Sequence, residues 1–480
     1  MVTGRLNLFS ENELDQLSAG AFRILETTGI QVHSEEFLAS LASTGAVVDS
    51  TTRIVRFPAH MVQALIDERR SLAQPAGRHL VELDPDYRPG LGISIAPFLH
   101  DYRRRTRRHA TREDLVEIIH WADVDIDRDR SVGQAVTMRE VDPRVEPVEA
   151  YALLMEHTSH PEPTAYTSDD DQIPFLLELA NVYFDGPRFP TGANFMTSPL
   201  TFGDRMARYL LAAIAWGRTE HGIGVMPICG GNAPMTIAGN VVVSTAELLG
   251  AWLTVKAYQP EATFRGGACN GIIDMRRGVA SFGAPEALLA DLGVCELFER
   301  RLGGHVGMAG GSDYIDARLV GLQSAYERMM VAMSVAAFTD RPFNLSAGGT
   351  LDSGKVFSPV DFIIDRELGV GLWRLGQGVE VTAETLALDT IETVGVGAGK
   401  SYMEADHTLR HYRETWFPKM LARGMWASDD IEFGHEEQMK EAAFQHYLEC
   451  LSRYTPPELD EDKHREIKRI AAHSRHALLT

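Results

Sequence analysis

The hydrophobic pattern changes rhythm about a quarter of the way along the chain. Residues 10–28 repeat apolar positions at helical spacing: Leu14, Leu17, Ala21, Ile24 and Leu25 share one face. Ser10 with Glu13 reads as a capping box, and Gly29 as the stop. A second helix is expected over 34–43. A hairpin is expected over 46–57, turning at Asp49-Ser50-Thr51-Thr52. From about residue 130, short apolar runs alternate with amphipathic stretches. The runs are 131–137, 164–167, 191–196, 222–228, 263–268, 305–308 and 342–345. The stretches 205–214, 244–257, 286–300 and 317–337 lie between them. The spacing is that of βα units, about 30–40 residues each, which predicts a parallel sheet. Seven or eight such units favour a closed (β/α)8 TIM-type barrel over an open doubly wound sheet. An eighth strand comes either from 93–99, or from elsewhere if that segment belongs to a preceding hairpin. The expected division is an N-terminal helical cap and hairpin (1–125), the barrel (126–425) and a polar, peripheral C-terminal helical extension (426–480).

Composition narrows the partners. Among 480 residues, 46 Lys and Arg face 67 Asp and Glu, a formal charge of −21. Nucleic acid is not an expected partner for so acidic a chain, because binding it requires neutralising phosphates. The one basic run, 103–112, has two readings, an anion-binding patch or a solvated turn before a helix capped by Thr111. Four cysteines (Cys229, Cys269, Cys295, Cys450) offer no paired spacing, which suits a reducing cytoplasm. No run approaches the ~20 uninterrupted apolar residues of a membrane span.

In a barrel the chemistry sits where strands end and loops begin. That criterion selects, among others, Tyr166, Phe195, Arg265, His305 and Asp313. Tyr166, Phe195, Phe264, Tyr314 and Phe357 are the aromatic candidates near such ends, each read alternatively as core. His305 is read as a ligand contact or as a satisfied core histidine, and Arg265 as an anion clamp or a structural ion-pair partner. Cys229, Cys269 and His305 follow three different strands and permit a zinc site on paper. The preferred reading has no metal.

Longer motifs add a resemblance. Gly310-Gly311-Ser312-Asp313 leads to Asp316-Ala317-Arg318 and Gln323-Ser324-Ala325-Tyr326-Glu327. Further on come Gly348-Gly349-Thr350-Leu351-Asp352-Ser353-Gly354, Glu384-Thr385-Leu386-Ala387-Leu388-Asp389 and His407-Thr408-Leu409-Arg410-His411. In this order they resemble the trimethylamine methyltransferase family along nearly the whole chain. Archaeal trimethylamine enzymes of that family carry pyrrolysine near 310–315. Here Gly, Ser, Asp, Tyr and Ile fill the region, so the resemblance points to the non-pyrrolysine branch. It implies a (β/α)8 barrel, commonly a homo-oligomer, that moves a methyl group from a quaternary amine to the corrinoid (cobalamin) of a partner protein. No tightly bound cofactor is expected in this chain.

On that implication the aromatic candidates would hold an ammonium head by cation–π attraction. Arg265 or His305 would take a betaine carboxylate, and Asp313 would offset substrate charge. Two other classes remain open. One is a non-catalytic betaine-binding or sensor barrel. The other is a methyltransferase that depends on zinc or uses a sulfonium donor.

Overall fold

Ser10 and Glu13 form the expected reciprocal cap on the helix Glu11–Thr27, which buries Leu14, Leu17, Ala21 and Leu25. Gly29 ends it at a position only glycine tolerates: φ is +77°, and a Cβ would lie 2.2 Å from the Val55 carbonyl oxygen. Ser34 caps the next helix, Glu35–Ser43. Val47–Asp49 and Ile54–Arg56 pair as the hairpin. The computed structural model describes residues 5–72, 90–184, 186–192, 194–308, 314–339, 345, 348–397, 400–421 and 434–480.

This N-terminal part does not stand apart. Gln31 pairs in parallel with Thr201. Leu14, Leu25, Phe37 and Leu41 share one apolar core with Leu248, Leu249 and Trp252 of the helix Ile237–Tyr258. The first residues are fastened to a distant helix, Pro285–Leu297, and the turn after it. The Leu8 N–H donates to Glu296 (2.7 Å), and Arg5 pairs with Glu299 (2.5 Å).

The apolar runs pair in parallel, each with the next in sequence. Leu91 and Ala96 bridge to Val132 and Val136. Val132-Gly133 pairs with Pro163-Thr164, and Tyr166-Thr167 with Thr191-Gly192. Phe195 bridges to Gly224. Glu220–Val225 pairs with Thr263–Ala268, which pairs with Val306–Met308. Six of the seven expected runs therefore take part, and the seventh, 342–345, lies outside the described residues except for Leu345. The 93–99 segment divides between its two readings. Ala96 joins the parallel series, while Phe98–Asp101 forms a hairpin with Thr106–His109. The result is an α/β fold of small mixed sheets. Among the described residues the parallel series does not close on itself.

One expectation changes, and the choice for the basic run falls to its second reading. The C-terminal segment is not peripheral: helices His435–Arg453 and Glu461–Leu479 bury Ala443, Tyr447, Cys450, Ile467 and Ile470 in a main core. Their apolar residues keep helical spacing, but only as a narrow stripe among charges. The basic run is the hairpin and cap, with its charges partly matched internally. Arg108 holds Asp114 through two nitrogens (2.6 and 2.7 Å) and Asp101 through a third (2.8 Å). Helix Ile237–Tyr258 is apolar and long enough to cross a membrane by composition, yet most of it is buried inside the fold as a core helix.

Candidate functional site

Alternation along the strands separates two faces. Ile223, Val225, Ala268 and Val306 turn toward the core that contains Trp252. Phe264 belongs to that side, stacked on Trp252 at 5.7 Å and 19°. It is a core ring, and no part of an aromatic cage. The opposite face carries Gly224, Gly267 and Gly307, which lie in register on three neighbouring strands. A row of three glycines leaves this wall without side chains. The Phe195 ring covers its first member: a Cβ on Gly224 would stand 2.5 Å from a ring carbon. Phe195 therefore occupies its place only because residue 224 has no side chain.

Arg265 and His305 share this face but stand two residues nearer the amino ends of their strands, about 6.6 Å lower. Arg265 pairs with Glu220, and its side chain is 80% exposed. Its ion-pair partner is thus neither Glu261 nor Asp274, the two nearest acids in the sequence. His305 Nδ1 lies 2.8 Å from a Glu299 carboxylate oxygen. The fold does not bring either residue to the carboxyl ends of the strands. Phe357 is fully buried, paired with Thr350 and beside Leu99. Asp313 lies outside the described residues.

The carboxyl ends hold a different set. Gln134 donates its amide to Glu146 (2.6 Å), which also accepts the Met138 N–H (3.0 Å). Burial raises the Glu146 carboxyl above its ordinary range. Burial likewise raises the Tyr166 hydroxyl, against the opposing charge of Arg205 nearby. Tyr166, Asn194, Arg205 and Tyr209 line one small cleft. Arg205 went unselected in the sequence because it opens a helix, Asp204–Ala215, rather than ending a strand. Its only sequence signal is that this helix follows the 191–196 run.

Buried carboxyls hold the loops beside these positions. Glu247 accepts from Ser198 Oγ and the Leu200 N–H, both at 2.8 Å, and so fixes the turn after Phe195. Asp291 accepts the Asn270 backbone N–H and side-chain amide, both at 2.7 Å, just beyond the strand that carries Gly267. Burial raises Asp291 to about 7. The folded chain thus keeps a proton that the unfolded chain gives up above about pH 4, and stability falls as pH rises from there toward 7. Asp291→Asn cannot ionise. We expect its melting temperature to drop less between pH 5 and pH 8 than that of the wild type, followed by thermal scans at both pH values. Parallel curves would mean that Asp291 is ionised throughout.

The 314–327 stretch is a fastening hub. Asp316 accepts from Ser281 Oγ and the Phe282 N–H, while Glu327 accepts the N–H groups of Asp316 (2.8 Å) and Ala317 (3.0 Å). The hub sets Tyr314 against Phe282, a ring absent from the sequence candidates, at 5.6 Å and 50°. Cys229, Cys269 and His305 form no ligand cluster among the described residues. Cys229 Sγ instead accepts from Asn240 at 3.1 Å inside the core.

The model of one family, "Trimethylamine methyltransferase (MTTB)", matches residues 2–478. The chain belongs to that family. It is a methyltransferase enzyme. Relatives in the family include the trimethylamine methyltransferase MttB of Desulfitobacterium hafniense, 26% identical over 94% of this chain and 91% of its own length. The glycine betaine methyltransferase of the same species is 25% identical, over 95% of this chain and 94% of its own length. The trimethylamine methyltransferase MttB1 of Methanosarcina mazei is 22% identical, over 97% and 94%. Like this chain, the family match runs through the two C-terminal helices, in keeping with their place in the core.

Proposed function

We propose that this enzyme demethylates a quaternary amine of betaine type and passes the methyl group to the corrinoid of a partner protein. The observation that carries this is the full-length kinship with a glycine betaine methyltransferase. The segment 314–318, read as Tyr-Ile-Asp-Ala-Arg, adds support for the non-pyrrolysine branch. In this reading the parallel series is most of a (β/α)8 barrel, with 1–125 and 426–480 built onto a 126–425 core and the 91–96 segment lent to it by the first part.

The corrinoid supplies the nucleophile that takes the methyl carbon. The nitrogen keeps the bonding electron pair and leaves as a neutral tertiary amine, so the protein need not move a proton. Its task is to align one N–CH3 bond and exclude water. Phe195 offers a ring face to the cationic head, and Gly267 and Gly307, beside the glycine that the ring covers, give the methyl groups room. Arg205 beside Tyr166 is the cation best placed for a substrate carboxylate, with Glu146 below them as an acidic neighbour. Arg265 and His305 hold the amino ends of the strands. Exposed apolar side chains at Val396, Met403, Leu409 and Phe417 support a homo-oligomer.

The test is anaerobic. The protein is mixed with cob(I)alamin and each of glycine betaine, proline betaine, carnitine, choline, trimethylamine and dimethylsulfoniopropionate, and methylcob(III)alamin is followed by its spectrum. Turnover with a betaine and none with trimethylamine is expected. Turnover with the sulfonium alone would reassign the donor. Thermal stabilisation by a betaine without turnover, even when a corrinoid protein is supplied, would make this a binding protein. Replacing Phe195 by Ala removes one ring face, worth about 0.5–2 kcal/mol. The betaine KM should rise roughly 2–30-fold with the melting temperature little changed, and an unchanged KM would remove Phe195 from the site.

A further inference from the structure

After the long helix Pro359–Gln377 the chain runs out along the surface as three short helices, Ala383–Leu386, Leu388–Val394 and Asp406–His411. None of the three buries a residue. Isolated helices are marginal even at about 12–15 residues, so helices this short need something besides themselves to hold them. Among the described residues no apolar core does so. A cleft of about 690 Å3, lined by Trp373, Trp416 and Phe417, separates part of this excursion from the 359–377 helix.

What ties the excursion together is polar. His407 and His411 stand four residues apart on one face of their helix, with ring centroids 4.4 Å apart. Both turn to Glu384 on the first short helix, His407 with Nε2 3.3 Å from its backbone carbonyl oxygen and His411 toward its carboxylate. His411 Nε2 is 3.2 Å from Glu384 Oε1, and one ligand atom from each of Glu384, His407 and His411 falls within 4.8 Å of the others. The other nitrogen of His411, Nδ1, lies 2.9 Å from Glu414. These are two of the motifs that the methyl-transfer reading leaves without a role.

We propose that Glu384, His407 and His411 bind a zinc-class divalent ion that braces this excursion. Two imidazoles and a carboxylate suit zinc, with water in the fourth position. Bonds of about 2.0–2.1 Å set tetrahedral ligands roughly 3.3 Å apart, so the exposed Glu384 and the half-buried histidines need only close in slightly. Glu414 on the far nitrogen of His411 is the carboxylate–histidine–metal arrangement that fixes a ligating ring. Arg410, now 2.8 Å from Glu384 Oε1, either yields that oxygen or leaves the ion the second one. The ion would close loops of 23 and 27 residues, which is how a metal contributes folding free energy to a segment without a core. The rival arrangement is an ion-pair cluster of Arg410, Glu384, His411 and Glu414 that needs no metal. The inference stands independently of the substrate assignment and departs from the metal-free reading of the sequence.

The experiment uses the full chain. Purified protein is stripped with chelator, reloaded with Zn2+ or Co2+, and assayed for bound metal, for the visible spectrum of Co2+ and for the rate of tryptic cleavage within 380–415. About one equivalent per chain is expected, with a tetrahedral Co2+ spectrum and cleavage at least tenfold faster after stripping. His407→Ala and His411→Ala should lose the ion, and Arg410→Ala should keep it. The Co2+ spectrum of the wild type needs no variant to fold. Less than a tenth of an equivalent after reloading, an octahedral spectrum, or full metal retention by His411→Ala would overturn the site. So would an Arg410→Ala protein that is metal-free and as protease-sensitive as the stripped wild type.

Discussion

Arg328→Met will destabilise the protein by about 3–5 kcal/mol, the usual cost of removing one partner from a buried ion pair. Arg328 has no solvent exposure, and its partners Asp361 and Asp365 are as deep. It donates to the Thr350 carbonyl oxygen (2.5 Å), approaches Asp361 at 3.2 Å and sets its Nε 2.7 Å from Asp365. Burial pushes both aspartates up, strongly so for Asp365, and the guanidinium is the main influence holding them down. Without it, two carboxyls are stranded in the core. Asp365 also accepts the Gly349 N–H at 2.9 Å, so the damage reaches the Gly348-Gly349 turn. The urea unfolding midpoint measures the loss. Adding Asp361→Asn and Asp365→Asn to the variant should restore part of it, because neutral amides strand no charge. A midpoint equivalent to less than about 1 kcal/mol of loss would show that water reaches the cluster.

Arg205→Ala should raise the KM for glycine betaine roughly 10–100-fold, in line with about 1.5–3 kcal/mol for a hydrogen bond to a charged group. Choline has no carboxylate, so its KM should change by less than about threefold. Arg265→Ala should leave both within about twofold, since Arg265 already pairs with Glu220 at the amino end of its strand. Initial rates with the two substrates decide the matter. The opposite pattern would move the carboxylate subsite to the amino ends and restore Arg265 to it.

The strand rhythm was readable in the sequence because apolar runs recur at βα spacing, and the caps at Ser10 and Thr111 were readable because they depend on local chemistry alone. Facing was not readable. Phe195 and Phe264 look alike in a list of aromatics near strands, yet one covers a glycine of the open wall and the other packs on Trp252. Which parity faces the helices depends on contacts far away in the chain. Position along the strand was equally hidden. The runs beginning at 263 and 305 were rightly seen as strands, but Arg265 and His305 sit near their beginnings, away from the carboxyl ends. Gly348-Gly349, part of the family motif, is explained by crowding: a Cβ on Gly348 would lie 2.9 Å from Asp365, and Gly349 has φ +78°. The C-terminal helices were underrated because average polarity conceals a stripe of one apolar residue per turn.

The fastening of the first residues to the 285–297 helix and its following turn has a bearing on biosynthesis. Arg5 and Glu299 are separated by 294 positions, and Leu8 and Glu296 by 288. At about 5–20 residues per second, a ribosome needs roughly 15–60 s to deliver the second partner after the first. For most of that interval, until helix Ile237–Tyr258 is made, the apolar face of the opening helix lacks its main seat. A nascent chain of this kind would depend on a chaperone to cover Leu14, Leu17 and Leu25, and a fragment ending before residue 250 would expose the same stripe permanently.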